Sequence, residues 1–246
     1  LGQNFSIPFE VKFSDKDNIE QFAWQTSWGV SWRLIGAMIM VHGDDKGLVL
    51  PPKVAPIQVV IVPIYKSEEA KKIVFPKLCE ILEQLELKKI RVHVDDRNDL
   101  TPGYKFNDWE LKGVPLRIEI GPKDIEKQQI ILAKRYNREK INVGFSEIEK
   151  IVTTLDEIQK DMLKIARVKA KENTIKISDY SEFKSKIGKG GFFIAYWCGK
   201  IECEEKIKEE TGADIRVIPF GSENTDGECI YCQEPSIATP IFARGY

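Results

Sequence analysis

The stretch Ile57-Gln58-Val59-Val60-Ile61-Val62-Pro63-Ile64 decides the fold. It is a β-branched, almost wholly apolar run of single-strand length, the composition of an interior strand covered on both faces. Ser67 follows, placed to cap a helix that Glu68 and Glu69 open and that runs to about Leu85. Ile90-Arg91-Val92-His93-Val94 reads as the next strand, Thr101-Pro102-Gly103 as the start of a short helix toward Leu111, and Leu116-Arg117-Ile118-Glu119-Ile120 as a further strand. Gln129 to Ala133 continues the series, and a long amphipathic helix is expected from about Phe145 to Lys171. Strands alternating with helices over about a hundred residues imply a compact α/β layer.

Downstream, a unit beginning near Ile175 carries a strand (Phe192 to Trp197), a Glu/Lys-rich helix (Glu202 to Thr211) and a second strand (Ile215 to Phe220). Upstream, apolar and polar residues alternate at Phe9, Val11, Phe13 and again at Phe22 and Trp24, on either side of the polar turn Ser14 to Asn18, which predicts a hairpin. Ser31 to Val41 is apolar after Arg33 and reads as either a buried strand or a helix. Gly43 to Gly47 is a turn, and the prolines Pro51, Pro52 and Pro56 stop regular structure, so a boundary is placed near residue 55. The expected units are 1–54, 55–172 and 173–246.

The 246 residues are 42% hydrophobic and 30% charged, with a formal net charge of -1. No run of about 18 apolar residues is present to span a bilayer. Any nucleic-acid binding must come from a local basic surface, not from the field of the whole molecule. The opening Leu1 to Ser6 has neither an initiator Met nor a signal-peptide pattern, so the chain is expected to be cut from something longer.

Of five cysteines, Cys79 sits alone in a helical pattern, while Cys198-x4-Cys203 and Cys229-x2-Cys232 form two close pairs separated by 25 residues. Two such pairs can meet around one tetrahedral ion, and four thiolates close the site to water, so the reading is structural zinc. Ordinary unliganded cysteines and a disulfide pair are the alternatives. Neither histidine, His42 or His93, lies in this unit.

Gln25-Thr26-Ser27-Trp28-Gly29-Val30-Ser31-Trp32-Arg33-Leu34-Ile35-Gly36 places small residues ahead of an arginine. That suits a nucleotide site, because the backbone can come close and a guanidinium can fork onto phosphate oxygens. A lone arginine beside an apolar run also reads as an ordinary surface residue. The stretch resembles the third signature motif of class II aminoacyl-tRNA synthetases, in the form found in prolyl-tRNA synthetases. Family members carry similar blocks at Leu1 to Ser6, at His42-Gly43-Asp44-Asp45-Lys46-Gly47-Leu48-Val49-Leu50-Pro51-Pro52, and from Thr101 to Pro115 leading into Leu116 to Asp124. With the four-cysteine tail, the resemblance covers essentially the whole chain and points to the archaeal/eukaryotic type.

The resemblance implies the end of an antiparallel-sheet catalytic domain, a mixed-sheet α/β anticodon-binding domain and a small α/β zinc-binding C-terminal domain. It implies that Arg33 contacts the ATP phosphates with Ser31 nearby, and that Ser27, Trp28 and Gly29 line the proline and adenylate pocket. Trp32 stands where the family usually has Thr, so no contact is carried over to it. Arg117, Glu119, Lys123 and Asp124 are the implied anticodon contacts: a carboxylate can accept from the Watson-Crick edge of guanine, and cations can hold phosphates. The bland reading of Arg117 and Glu119 is charge alternation on the wet face of a strand. The terminal carboxylate of Tyr246 is expected to point back toward the catalytic domain.

The expected cofactor is zinc, with Mg-ATP as substrate. The expected partners are proline, tRNA(Pro), the missing N-terminal catalytic half and, in the complete cytoplasmic enzyme, a second copy in a homodimer. The competing class is a non-catalytic tRNA-binding module or accessory subunit; a zinc-bearing protein-interaction domain is more remote.

Overall fold

The first regular structure in the computed structural model, which describes residues 1–223 and 226–245, is an antiparallel hairpin of β1 (Lys12–Ser14) and β2 (Glu20–Phe22). Its turn is set by Asp15, whose carboxylate accepts the backbone N–H groups of Asp17 and Ile19, both at 2.9 Å. The ambiguous apolar run that follows is a helix, α1 (Arg33–His42), as its Leu, Ala and Met content permits. No residue of α1 is buried, and Leu34, Ile35, Met40 and Val41 are exposed.

The expected strand-helix series follows: β3 (Val59–Pro63), α2 (Glu68–Leu87), β4 (Val92–Val94), α3 (Pro102–Leu111) and β5 (Leu116–Ile120). Ser67 Oγ accepts from Ala70 N at 3.2 Å and so caps α2, and Thr101 caps α3 through Tyr104 N. A short helix, α4 (Pro122–Glu126), then leads to β6 (Gln129–Lys134), β7 (Lys140–Gly144) and the long α5 (Glu149–Glu172). The strands form one sheet in the order β4-β3-β5-β6-β7, with β3 parallel to β4 and β5, and β6 and β7 antiparallel additions.

The two faces of this sheet differ. On one, Ile61, Ile118 and Leu132 pack under α2 and α5 with Leu78, Ile81, Leu85, Ile151 and Ile158. On the other, α3 covers only the β3 side, where Val60, Val62, Trp109 and Val114 form a small cluster. Registered neighbours share a face, so Arg117, Ala133 and Lys140 lie in line with Val60, and Glu119, Ile131 and Asn142 in line with Val62; Phe106 and Glu110 of α3 reach as far as Arg117.

A second sheet contains β8 (Thr174–Lys176), β9 (Phe192–Ile194), β10 (Ala213–Val217) and β11 (Ile241–Arg244), in the order β10-β11-β9-β8. Helices α6 (Tyr180–Ile187) and α7 (Ile201–Thr211) pack on it around Phe183, Phe193, Phe242 and Ile207. The expected strand from Ile215 to Phe220 is displaced toward the N-terminus: β10 starts at Ala213 and ends at Val217, before Pro219, while α6 and β11 were absent from the expectation. Among the described residues no helix is long and apolar enough to cross a membrane.

Candidate functional site

Strand β5 places Arg117 and Glu119 on the half-covered face, two residues apart and therefore side by side. Neither is wetted: Arg117 is 7% exposed and Glu119 4%. Arg117 Nη2 donates to Glu119 Oε1 at 2.9 Å, and its Nη1 reaches Glu110 Oε1 on α3 at 3.3 Å. Lys140, on β7, donates Nζ to Glu119 Oε2 at 2.9 Å. The guanidinium of Arg117 also lies 4.1 Å from the ring centre of Phe106. The bland reading of a solvated charge alternation therefore gives way to a buried network in which each charge has a counter-charge.

Beside this network runs a cleft of about 120 Å³ lined by Glu110, Arg117, Lys134, Arg135, Arg138 and Lys140, among others. Five cations and one carboxylate line it, and the cations are also paired with Glu119, Glu139 and Asp44, carboxylates that stand behind its wall. Glu110, Lys140, Phe106, Arg135 and Arg138 escaped the sequence reading. Glu110 and Phe106 were available within the block Thr101 to Pro115, but the register that carries Lys140 to Glu119 is not written in local sequence.

The position of α3 is itself held by charge. Asp95, 1% exposed at the end of β4, accepts from Arg97 Nε at 2.9 Å and from Trp109 Nε1 at 2.8 Å, while Lys105 Nζ donates to its carbonyl at 3.0 Å. Burial pushes the Asp95 carboxyl up, and the hydrogen bonds from Arg97 and Trp109, with the charge of Lys105, more than offset this and hold it well below the usual range. Arg97 Nη2 also reaches Asp108 at 2.8 Å, a second hold on α3.

Lys123 and Asp124 lie elsewhere. They belong to α4, which packs beside α2 at the far end of β5, and Asp124 Oδ2 accepts the N–H of Gly121 at 2.9 Å as a helix cap. Lys123 is exposed. Ser27, Trp28, Gly29 and Ser31 lie in the irregular segment before α1, where Trp28 is 94% exposed, and Arg33 is the first residue of that helix. Ser31 Oγ accepts from Arg33 N at 3.4 Å. The expectation for Tyr246 falls outside the described residues.

Cys198, Cys203, Cys229 and Cys232 converge, with all four Sγ atoms within 4.8 Å of one another. Cys198 lies 3.6 Å from both Cys203 and Cys232. A tetrahedral zinc with bonds of about 2.3 Å needs sulfurs about 3.8 Å apart, so the donor set fits that ion. Gly199 turns the chain into α7 at φ +83, and a Cβ there would meet the side chain of Ile237. Burial pushes the Cys203 thiol up, so a cation is what would favour its thiolate. Tyr231, between the last two cysteines, donates its hydroxyl to Glu210 on α7 at 3.2 Å, as does Tyr180 on α6 at 3.1 Å. The cluster thus braces the helices, and four sulfur ligands leave no position for a reacting molecule.

Two stretches of the chain match known families. Residues 58–155 match the anticodon binding domain, and residues 180–246 match the family described as prolyl-tRNA synthetase, C-terminal. Both matched families are domains of the aminoacyl-tRNA synthetase class or its anticodon-binding module.

The chain is 54% identical to the proline--tRNA ligase of Cenarchaeum symbiosum and 49% identical to that of Porphyromonas gingivalis, over 100% of its own length and 52% and 50% of theirs. It superposes with a TM-score of 0.88 on the crystal structure of prolyl-tRNA synthetase from Cryptosporidium parvum complexed with L-proline and AMP, at 42% identity, over 100% of this chain and 53% of that one. The chain spans about half the length of the relatives it matches. Over its whole length the chain is thus similar to about half of these prolyl-tRNA synthetases, the matched part including their C-terminal domain.

Proposed function

We propose that the chain is the tRNA-reading, zinc-braced part of a proline--tRNA ligase. The complete protein activates proline with Mg-ATP to prolyl-adenylate and passes the prolyl group to the terminal ribose of tRNA(Pro). The observation that carries the reading is the cleft beside β5, β6 and β7, lined by Glu110 and five cations, with the buried Glu119 bonded to two of those cations behind it. Carboxylates that accept from a guanine edge, cations that neutralise phosphates and Phe106 beside the guanidinium of Arg117 are the chemistry that splayed anticodon bases require.

In this reading Glu119 is the base reader, Arg117 and Lys123 hold phosphates, and Asp124 contacts the anticodon arm from the end of β5. Arg33 and Ser31 meet the ATP phosphates, so Arg33 neutralises charge that develops during adenylate formation. Ser27, Trp28 and Gly29 line the proline and adenylate pocket, and Tyr246 directs its carboxylate back toward the catalytic domain. Zinc, held by Cys198, Cys203, Cys229 and Cys232, supplies folding energy and no step of the reaction. The functional units are 1–54, 55–172 and 173–246. The complete enzyme acts as a cytoplasmic homodimer and supplies the remaining walls of the adenylate site around the exposed Trp28.

A salt titration of binding between this chain and tRNA(Pro) tests the proposal. The logarithm of affinity should fall linearly with the logarithm of salt concentration, as contacts from several cations to phosphates require. Affinity independent of salt would count against the cleft as the RNA site.

A further inference from the structure

Asp44 and Arg135 are 91 residues apart in sequence and joined by two hydrogen bonds, Nη1 to Oδ2 at 2.8 Å and Nη2 to Oδ1 at 2.6 Å. The side chain of Arg135 is 3% exposed, and its Nε donates to the carbonyl of Glu110 at 2.9 Å. Arg138 reaches the same Asp44 carboxylate at 3.3 Å, with 53% of its side chain in solvent. One carboxylate thus serves two guanidiniums, and the less committed of them, Arg138, borders the cleft.

Asp44 is tied to α1 as firmly as Arg135 is to the cleft. It follows directly on Gly43, whose N–H donates to Ile39 O in the last turn of α1 at 2.7 Å. The chain then turns at Gly47 (φ +127), where a Cβ would stand 2.6 Å from Leu111 O, and Leu48 N donates to that same carbonyl at 3.0 Å. The end of α1, the end of α3 and the end of β6 therefore meet at Asp44.

We propose that Asp44 and Arg135 are positioning residues that couple occupancy of the cleft to helix α1, whose first residue is Arg33. A phosphate entering the cleft takes Arg138 and leaves the Asp44 carboxylate wholly to Arg135. The two-point pair tightens, and the end of α1 is held more firmly against α3. The guanidinium of Arg135 already keeps the Asp44 carboxyl well below the usual carboxylate range, so the pair is charged at any pH at which the RNA binds. The inference rests on the RNA-reading assignment above, but it concerns what binding does to α1, not whether binding occurs.

Amide hydrogen exchange of this chain, with and without an anticodon stem-loop of tRNA(Pro), tests it. Binding should slow exchange across residues 33–47 about fivefold or more in the native chain. Asp44→Asn should bind the stem-loop within about threefold of native and show no such slowing. Arg138→Ala, which removes the competing cation, should slow exchange there before RNA is added, and this arm decides the matter if Asp44→Asn fails to fold. Equal slowing in Asp44→Asn and native, or native binding with unchanged exchange at 33–47, overturns the coupling. Absence of stem-loop binding by the native chain refutes the RNA-reading assignment itself, and the coupling with it.

Discussion

Arg117 and Glu119 form a buried ion pair across one pleat of β5, with Nη2 2.9 Å from Oε1 and side-chain exposures of 9% and 5%. Removing Glu119 leaves the buried Arg117 with only its 3.3 Å contact to Glu110 as counter-charge. Glu119→Ala should therefore cost about 3–5 kcal/mol in a denaturant titration and erase discrimination between guanine-containing and other anticodons. Glu119→Gln keeps the shape and one acceptor, so it should recover part of the stability without the discrimination.

Lys140 provides the contrast, because it touches the same carboxylate with half of its side chain in water. An exposed partner contributes little to folding, so Lys140→Ala should change stability by less than about 1 kcal/mol. It should weaken tRNA binding similarly for all anticodons and reduce the salt slope by about one unit. A large stability loss in Lys140→Ala would contradict this role for Lys140.

Asp95 tests whether α3 is held by charge. Its folded carboxyl titrates below the unfolded value of about 3.9, so its contribution is complete above about pH 5 and drains away as the pH falls. The difference in urea midpoint between native and Asp95→Asn should be large at pH 7 and shrink steadily toward pH 2. A difference that stays constant with pH would contradict the assignment of Asp95 as a buried, ionised anchor.

The cysteine cluster predicts one zinc per chain by metal analysis. Chelation, or Cys203→Ser, should remove the cooperative unfolding of the unit built on Phe183, Phe193 and Phe242 while the five-stranded sheet keeps its own transition. Four free thiols and no metal in the purified chain would refute the site.

Much of this architecture is legible in the sequence, and the exceptions have physical causes. The order from Ile57 to Lys171 shows because β3 is apolar on both faces and Ser67 and Thr101 cap their helices with their own side chains. The run Arg33 to His42 is apolar all round, so no period separates strand from helix, and its side chains in fact face solvent. Strand β11 has four residues, and its partners β9 and β10 lie far back in the chain, so nothing local announces it. Helix α6 did leave a signal, the Asp179 cap followed by Phe183 and Ile187 at helical spacing, which went unused. The cysteine spacing reads directly as a cluster. Arg117 and Glu119 can be located from sequence, but not their partners, because Glu110 arrives by helix docking and Lys140 by strand register.

The most direct test of the account is a binding comparison between this chain and two anticodon stem-loops, one with the native tRNA(Pro) anticodon and one with its guanines replaced. The account predicts at least about tenfold tighter binding of the native loop, from one or more lost base contacts of about 1–3 kcal/mol each, and loss of that preference in Glu119→Gln. Equal affinity for the two loops, with the fold and the zinc site intact, would contradict it.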